Sequence, residues 1–358
     1  MIFSLYNSHG FKFHRRGVMD FSLGVKLSLP LQHMENWGGQ WKDITCAQGI
    51  GVNYGLNGDN LPTPDKVVAL LQSRNIEKVR LFDPNPGALK ALGGSNIEVV
   101  LGVRNEDLQQ LAQDSSFATQ WVSTNVLPYV PAVKLRYVTA GNEVIPGPMA
   151  QYVLAAMQNL NNALKAANVA VPVSTVTHFK IIGKSFPPSS GAFADDSASI
   201  LAPIVQFLAS THSPFFVNVY PYFAIDGDPS NIPLSYALGN STTVVVTDGS
   251  SQYKTLFEAM IDTVYAALAN VGGQNLNVVV SETGWPSGGG GSLATVDNAK
   301  TYVNDVVASS SSGTPKRANA VETYLFAIFN EDLKAAGTEQ NFGLYHPDMT
   351  EVYHVNFP

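Results

Sequence analysis

The chain has 358 residues, of which 45% are hydrophobic and 14% charged, against about 25% charged in an ordinary soluble domain; this is the composition of a folded protein and not of a disordered one. Its 21 basic and 28 acidic residues leave a net charge of −7, which opposes binding to polyphosphate, and no basic cluster in the body offers a local exception, so nucleic acid is not an expected partner. A single cysteine, Cys46, excludes an internal disulfide framework, and without a run of about 18 apolar residues the body is not expected to span a membrane.

Residues 1–48 differ in character from the rest of the chain. Lys12, His14, Arg15 and Arg16 precede a mildly apolar stretch, Gly17–Leu31, which Asp20 and Lys26 interrupt. The order suits a signal peptide poorly, because polar His33–Asp43 lies where apolar residues should lead to the small-residue site at Thr45-Cys46-Ala47. The segment is expected to be a leader or a misassigned start outside the fold, leaving 49–358 as the folded body.

From Gly49 onward, short β-rich runs alternate with amphipathic or alanine-rich segments. The predicted strands are Gly49–Tyr54, Lys78–Phe82, Glu98–Val103, Leu135–Ala140, Val171–Val176, Phe215–Tyr220, Asn277–Ser281 and Thr323–Phe329. Several are nearly continuous apolar runs, as a parallel sheet covered on both faces requires. Helices are predicted at Pro64–Ser73, Pro86–Leu92, Asp107–Val126, Pro148–Ala167, Ile200–Ser210, Tyr253–Ala269 and Ala294–Ser309, the first capped by Thr63 before Pro64. No Pro/Gly/Ser linker divides the body, so the alternation predicts one (β/α)8 barrel with an open cleft at the C-terminal face of its strands. Pro187–Ala194 and Asp226–Thr247 are longer excursions on that face, and Gly288–Ser292 reads as a flexible loop.

Polar residues that close an apolar barrel strand project toward the catalytic mouth. Two acids occupy such positions. Tyr137-Val138-Thr139-Ala140-Gly141-Asn142-Glu143 ends the fourth strand, and Asn277-Val278-Val279-Val280-Ser281-Glu282-Thr283-Gly284-Trp285-Pro286 ends the seventh. Cleaving an acetal takes one carboxyl to protonate the leaving oxygen and one carboxylate to meet the oxocarbenium ion, roles that Glu143 and Glu282 would fill. A lone strand-end glutamate more often caps the next helix or pairs with a base; the pairing of two on one face is what favours chemistry. Trp285 beside Glu282 suits a sugar's C–H face, although a tryptophan also fills cores.

Together with Gly49-Ile50-Gly51-Val52-Asn53-Tyr54-Gly55, Val79-Arg80-Leu81-Phe82-Asp83, Asn218-Val219-Tyr220-Pro221-Tyr222-Phe223 and Phe329-Asn330-Glu331-Asp332, these blocks resemble the plant endo-1,3-β-glucanases of glycoside hydrolase family seventeen over about residues 49–358. The resemblance implies a retaining mechanism within β-1,3-glucan chains, with Glu143 as acid/base and Glu282 as nucleophile, and a place in defence or cell-wall remodelling. It also implies a supporting Glu/Lys pair, here Glu331 and Lys334, for which an i, i+3 surface pair worth a few tenths of a kcal/mol is the competing reading. Retention needs the two carboxyls roughly 5–5.5 Å apart, and an ionised Glu282 would keep Glu143 protonated until it donates.

Asn142 is expected to hold the sugar 2-hydroxyl and Tyr220 to position the nucleophile. Tyr54, Arg80, Asn105, Phe179, Phe193, Trp285 and Phe329 are candidate cleft residues, with core packing the stronger alternative for the phenylalanines. Asn53, Phe82 and Arg104 depart from the residues frequent there in the family. The histidines lack His-Glu-x-x-His spacing, and neither a Gly-x-Ser-x-Gly elbow nor a phosphate loop is present, so no metal or cofactor is implied. A monomer acting on β-glucan, secreted or vacuolar, is expected; Asn240-Ser241-Thr242 would accept a glycan on that route. Two alternatives stay open, a mixed 1,3;1,4-β-glucan hydrolase on the same scaffold and a non-catalytic glucan-binding protein.

Overall fold

The computed structural model describes residues 49–358, together with the backbone of two short antiparallel strands, Met19–Asp20 and Lys26–Leu27. The expected leader, 1–48, otherwise lies outside the described residues. The body is an eight-stranded closed barrel: β1 (Ile50–Tyr54), β2 (Lys78–Leu81), β3 (Glu98–Val103), β4 (Lys134–Asn142), β5 (Val173–His178), β6 (Phe215–Asn218), β7 (Val278–Thr283) and β8 (Thr323–Leu325). All neighbours are parallel and follow chain order around the ring, and β8 closes on β1 through Thr323↔Ile50 and Leu325↔Val52.

Strand alternation sorts the apolar residues into two cores. Val100, Val176, Phe216, Val279 and Tyr324 fill the barrel, with Tyr137 edge-on to Phe216 at 5.2 Å. Their neighbours Val99, Leu101, Val217, Val278 and Val280 face outward into the larger core beneath the helices. At the strands' N-terminal end, Arg136 donates from Nε to Glu322 at 2.7 Å and from Nη1 to Glu98 at 2.9 Å, so the polar plug there is paired.

The covering helices are α1 (Pro64–Ser73), α2 (Pro86–Leu92), α3 (Leu108–Gln113), α4 (Ser115–Asn125), α5 (Ala150–Ala166), α6 (Asp195–Thr211), α7 (Pro221–Gly227), α8 (Leu234–Leu238), α9 (Leu256–Asn270) and α10 (Val296–Ser309). The helix expected over Asp107–Val126 is split. Asp114 leaves the helical region at φ −134° and accepts from Ser116 N to cap α4, because an aspartate satisfies free N–H groups better at a cap than inside a helix. Thr63 does precede α1, but its carbonyl and not its hydroxyl meets the helix, accepting from Lys66 and Val67 N. The excursion after β6 carries α8, which Asp226–Thr247 did not announce. Within the glycine run Gly288–Ser292, Gly289, at φ +80°, has room for no Cβ, which would stand 2.3 Å from the carbonyl carbon of Gly337, whereas Gly291 faces open space.

Candidate active site

Three strand pairings slip register beside the mouth. On β4, Thr139 and Asn142 oppose Ser174 and Val176 of β5; on β7, Val280 and Glu282 oppose Val217 and Asn218 of β6; and Val280 and Thr283 oppose Thr323 and Leu325 of β8. Such bulges re-aim side chains where strict alternation would turn them away. Both predicted acids follow one. Gly141 takes φ +88° and Glu143 itself φ +57°, a left-handed conformation that costs a non-glycine residue about 1–2 kcal/mol and is held by the Glu143 N–H donating to Val176 O at 2.9 Å.

Glu282 is buried, with its carboxylate divided between two partners: Arg80 Nη1 donates to Oε1 at 2.6 Å and the Tyr220 hydroxyl donates to Oε2 at 2.9 Å. Burial first, and then the adjacent Glu282 charge, push the Tyr220 phenol far above its ordinary value, so it stays a donor. Arg80 is buried too. Its Nη2 donates to Asn142 Oδ1 at 2.6 Å, and Nη1 also reaches Asn53 Oδ1 at 3.2 Å. One guanidinium fork thus aligns the nucleophile candidate with the amide beside Glu143, a two-armed geometry that only arginine offers. Its Cζ lies over the Phe82 ring, 4.5 Å from the centroid.

Glu143 is open to solvent at the mouth, yet its carboxyl is pushed upward, first because the cleft walls displace water around it and second because of Glu282. Sequence reasoning credited Glu282 alone. Asn218 Nδ2 donates to Glu143 Oε1 at 2.8 Å and counters the shift. Asn105 clamps Asn142 on both backbone groups, donating to its carbonyl at 3.0 Å and accepting from its N–H at 2.8 Å. With Asn142 Oδ1 occupied by Arg80, its Nδ2 is left to donate. A depression of about 450 Å³ lies alongside, between the ends of β2, β3 and β4, lined by Phe82, Asp83, Arg104, Asn105 and Asn142.

Glu331 and Lys334 are no helical surface pair. Glu331 is buried in a turn after β8, paired with Lys334 Nζ at 3.1 Å and accepting from Asn57 N at 2.7 Å. Lys334 in turn sits 4.0 Å over the Phe326 ring, which packs edge-on against Phe82 and Tyr220 at 6.2 and 6.3 Å.

Besides Arg80, four of the residues expected to line the cleft are buried. Trp285 is fully enclosed between Tyr222 and Tyr302, and its Nε1 donates to Leu293 O at 2.8 Å; it pins the following loop and presents no face to a sugar. Phe193 packs on Phe215, the first residue of β6 and the end remote from the carboxylates. Phe329 packs on Tyr345. Tyr54 is 1% exposed, its phenol pushed up to about 12 by burial and without a hydrogen-bond partner among the described residues. Phe179 is half-buried in the turn Phe179–Ile181 that follows β5.

The site also contains residues that sequence reasoning did not assign: Asn218, Ser281, Asn53, Phe326 and Phe342. For Asn218 a signal existed, since it lies two positions before Tyr220 and so shares its side of the chain. Among the described residues no cluster suited to a metal is present, and no helix is long and apolar enough to cross a membrane.

The family model described as glycosyl hydrolases family 17 matches residues 50–357. The chain belongs to this family. A family 17 relative from Vitis vinifera, named glucan endo-1,3-beta-glucosidase, is 49% identical over 318 residues, covering 87% of this chain and 92% of that protein. A basic vacuolar isoform of the enzyme from Nicotiana tabacum is 44% identical over 321 residues, covering 88% and 86%. A solved structure, one of two plant beta-glucan endohydrolases with distinct substrate specificities, superposes with a TM-score of 0.84 at 43% identity, covering 86% of this chain and 100% of its own.

Proposed function

We propose that the chain is an endo-acting, retaining hydrolase of 1,3-β-D-glucan, with Glu282 as nucleophile and Glu143 as acid/base. The observation that carries this reading is the Glu282 carboxylate, buried yet held by Arg80 and Tyr220 in a mouth that also holds an upshifted Glu143. Family membership and the names of the relatives support the substrate.

The chemistry derives from the placement. Arg80 and Tyr220 each hold one oxygen of the Glu282 carboxylate and so fix its orientation at the mouth. In the first step Glu282 forms a bond to the anomeric carbon as the glycosidic C–O bond breaks, and the proton of Glu143 passes to the leaving oxygen. Glu143, now a carboxylate stabilised by Asn218, takes a proton from water as that water displaces Glu282. Asn142, whose Oδ1 accepts from Arg80, keeps Nδ2 for the hydroxyl next to the anomeric centre in this reading. All these groups come from one chain, which supports action as a monomer. The vacuolar relative and the exposed Asn240 of the sequon support a route through the secretory system.

Product sizing on laminarin tests the assignment. The wild type should release a ladder of oligosaccharides, and Glu282→Gln should reduce turnover by at least about a thousandfold. Near-wild-type turnover in that variant removes Glu282 from the mechanism, faster cleavage of barley mixed-linkage glucan than of laminarin reassigns the linkage, and tight binding without cleavage makes the protein a glucan-binding one.

A further inference from the structure

Asn218 and Ser281 are both buried at the mouth, and the two-step hydrolysis gives the second of them no part. Ser281 is the extra residue of the β7 bulge, lying between Val280, which opposes Val217, and Glu282, which opposes Asn218. The bulge brings its hydroxyl to Asn218 Oδ1 at 2.7 Å, while Asn218 Nδ2 reaches Glu143 Oε1 at 2.8 Å. A chain of two bonds therefore runs from the nucleophile's own strand to the acid on the far side of the cleft.

The direction of that chain matters. An amide presents a donor on one side and an acceptor on the other, and either could face Glu143. If the amide were turned over, its Oδ1 would accept a proton from Glu143 Oε1 and its Nδ2 would face Ser281. The Ser281 hydroxyl proton would then lack an acceptor among the described residues, and an unsatisfied buried donor is disfavoured. Ser281 thus selects the orientation in which Asn218 shows Glu143 a donor. Facing an N–H, Oε1 has no room for a proton of its own. Oε2 has no protein partner among the described residues, and Glu143 is open to the cleft.

Resting on the assignment of Glu143 as the acid, we propose that Ser281 and Asn218 form a positioning pair that confines the acidic proton of Glu143 to Oε2, the oxygen turned to the glycosidic bond. In the first step the Oε2–H bond breaks as the proton joins the leaving oxygen, and the C–O pair of electrons departs with that oxygen. The Asn218 N–H then stabilises the carboxylate left behind without having moved.

The experiment compares kcat/KM on two β-laminaribiosides, one with a phenol leaving group that needs protonation and one with 2,4-dinitrophenol, which does not. Asn218→Ala should lose about 10- to 100-fold on the phenyl substrate, within the range general acid catalysis supplies, and under about threefold on the dinitrophenyl one. Its alkaline limb should move up, because a donor that favoured the carboxylate is gone. Ser281→Ala should show a smaller selective loss, and in the Asn218→Ala background it should add nothing. Equal losses on both substrates, or effects of the two substitutions that multiply, overturn the pair. Should Asn218→Ala fail to fold, the isosteric Asn218→Asp carries the test: a carboxylate facing Glu143 should raise the alkaline limb by at least about one pH unit, and an unmoved limb refutes the proposal. Wild-type release of dinitrophenol that Glu282→Gln abolishes checks the underlying reading separately; without it, both fall together.

Discussion

Gly55 closes the first sequence block, and the structure gives its reason. A Cβ at this position would lie 2.4 Å from both carboxylate oxygens of Glu331 and 2.6 Å from its Cδ. Ordinary contact begins at 3.4 Å, so Gly55→Ala must drive the carboxylate back by about an ångström. Overpacking of this kind costs about 1–3 kcal/mol. The same motion stretches the bonds from Asn57 N and Lys334 Nζ, now 2.7 and 3.1 Å, and a hydrogen bond to a charged group contributes about 1.5–3 kcal/mol. Because one displacement causes both losses they do not add, and the expected destabilisation is about 3 kcal/mol. Lys334 also carries the shift through Phe326 to Tyr220, so kcat/KM on laminarin should fall about tenfold. Urea unfolding and laminarin hydrolysis measure the two effects. The decisive control is the double variant with Glu331→Ala, which removes the obstructing carboxylate. There Gly55→Ala should cost under about 0.5 kcal/mol, as expected once the coupled partner is gone. An undiminished cost in that background would refute the argument, because the clash would then lie elsewhere.

Asp305 on α10 titrates at about 7, raised first by burial and then by Glu258. An acid whose folded value is raised binds more protons in the native state, so its contribution to stability falls as pH climbs from about 4 to 7. At about 1.4 kcal/mol per unit, and cut by partial solvent access, Asp305→Asn should gain about 1–2 kcal/mol at pH 8 and little at pH 4; equal stability at pH 8 would contradict this. Trp285→Phe should cost about 2–4 kcal/mol through lost volume and the lost bond to Leu293, with KM for laminarin within twofold of wild type. A raised KM with stability intact would restore the sugar-facing role that burial denies it.

The barrel was legible because its strands are short runs of branched apolar residues, dense enough that Val99 through Val103 reads as strand whichever face each residue takes. Glu143 and Glu282 were legible as a pair: one carboxylate closing such a run more often caps a helix or meets a base, but two closing strands at the same face of one barrel point to chemistry. Side-chain direction was not. Trp285 follows Glu282 by three positions, and nothing in hydrophobicity separates a ring that meets substrate from one that fills a core. Nor does composition announce a bulge: the extra residue at Ser281 is a property of how β6 and β7 pair, so its contact with Asn218 appears only once the strands are laid side by side. The role of Asn53 was hidden for the same reason, since its Nδ2 donates to carbonyls of Ser281, Tyr324 and Leu325, more than 220 positions away.

That last contact has a kinetic meaning. Asn53 stitches the first barrel strand to the seventh and eighth while its other amide atom steadies Arg80, so the ring cannot be open at this join and the carboxylate of Glu282 still be correctly held. During refolding, recovery of glucan cleavage should therefore lag behind the return of helical signal and coincide with the final zipping of the sheet, making turnover itself a clock for the moment the two chain-distant edges meet.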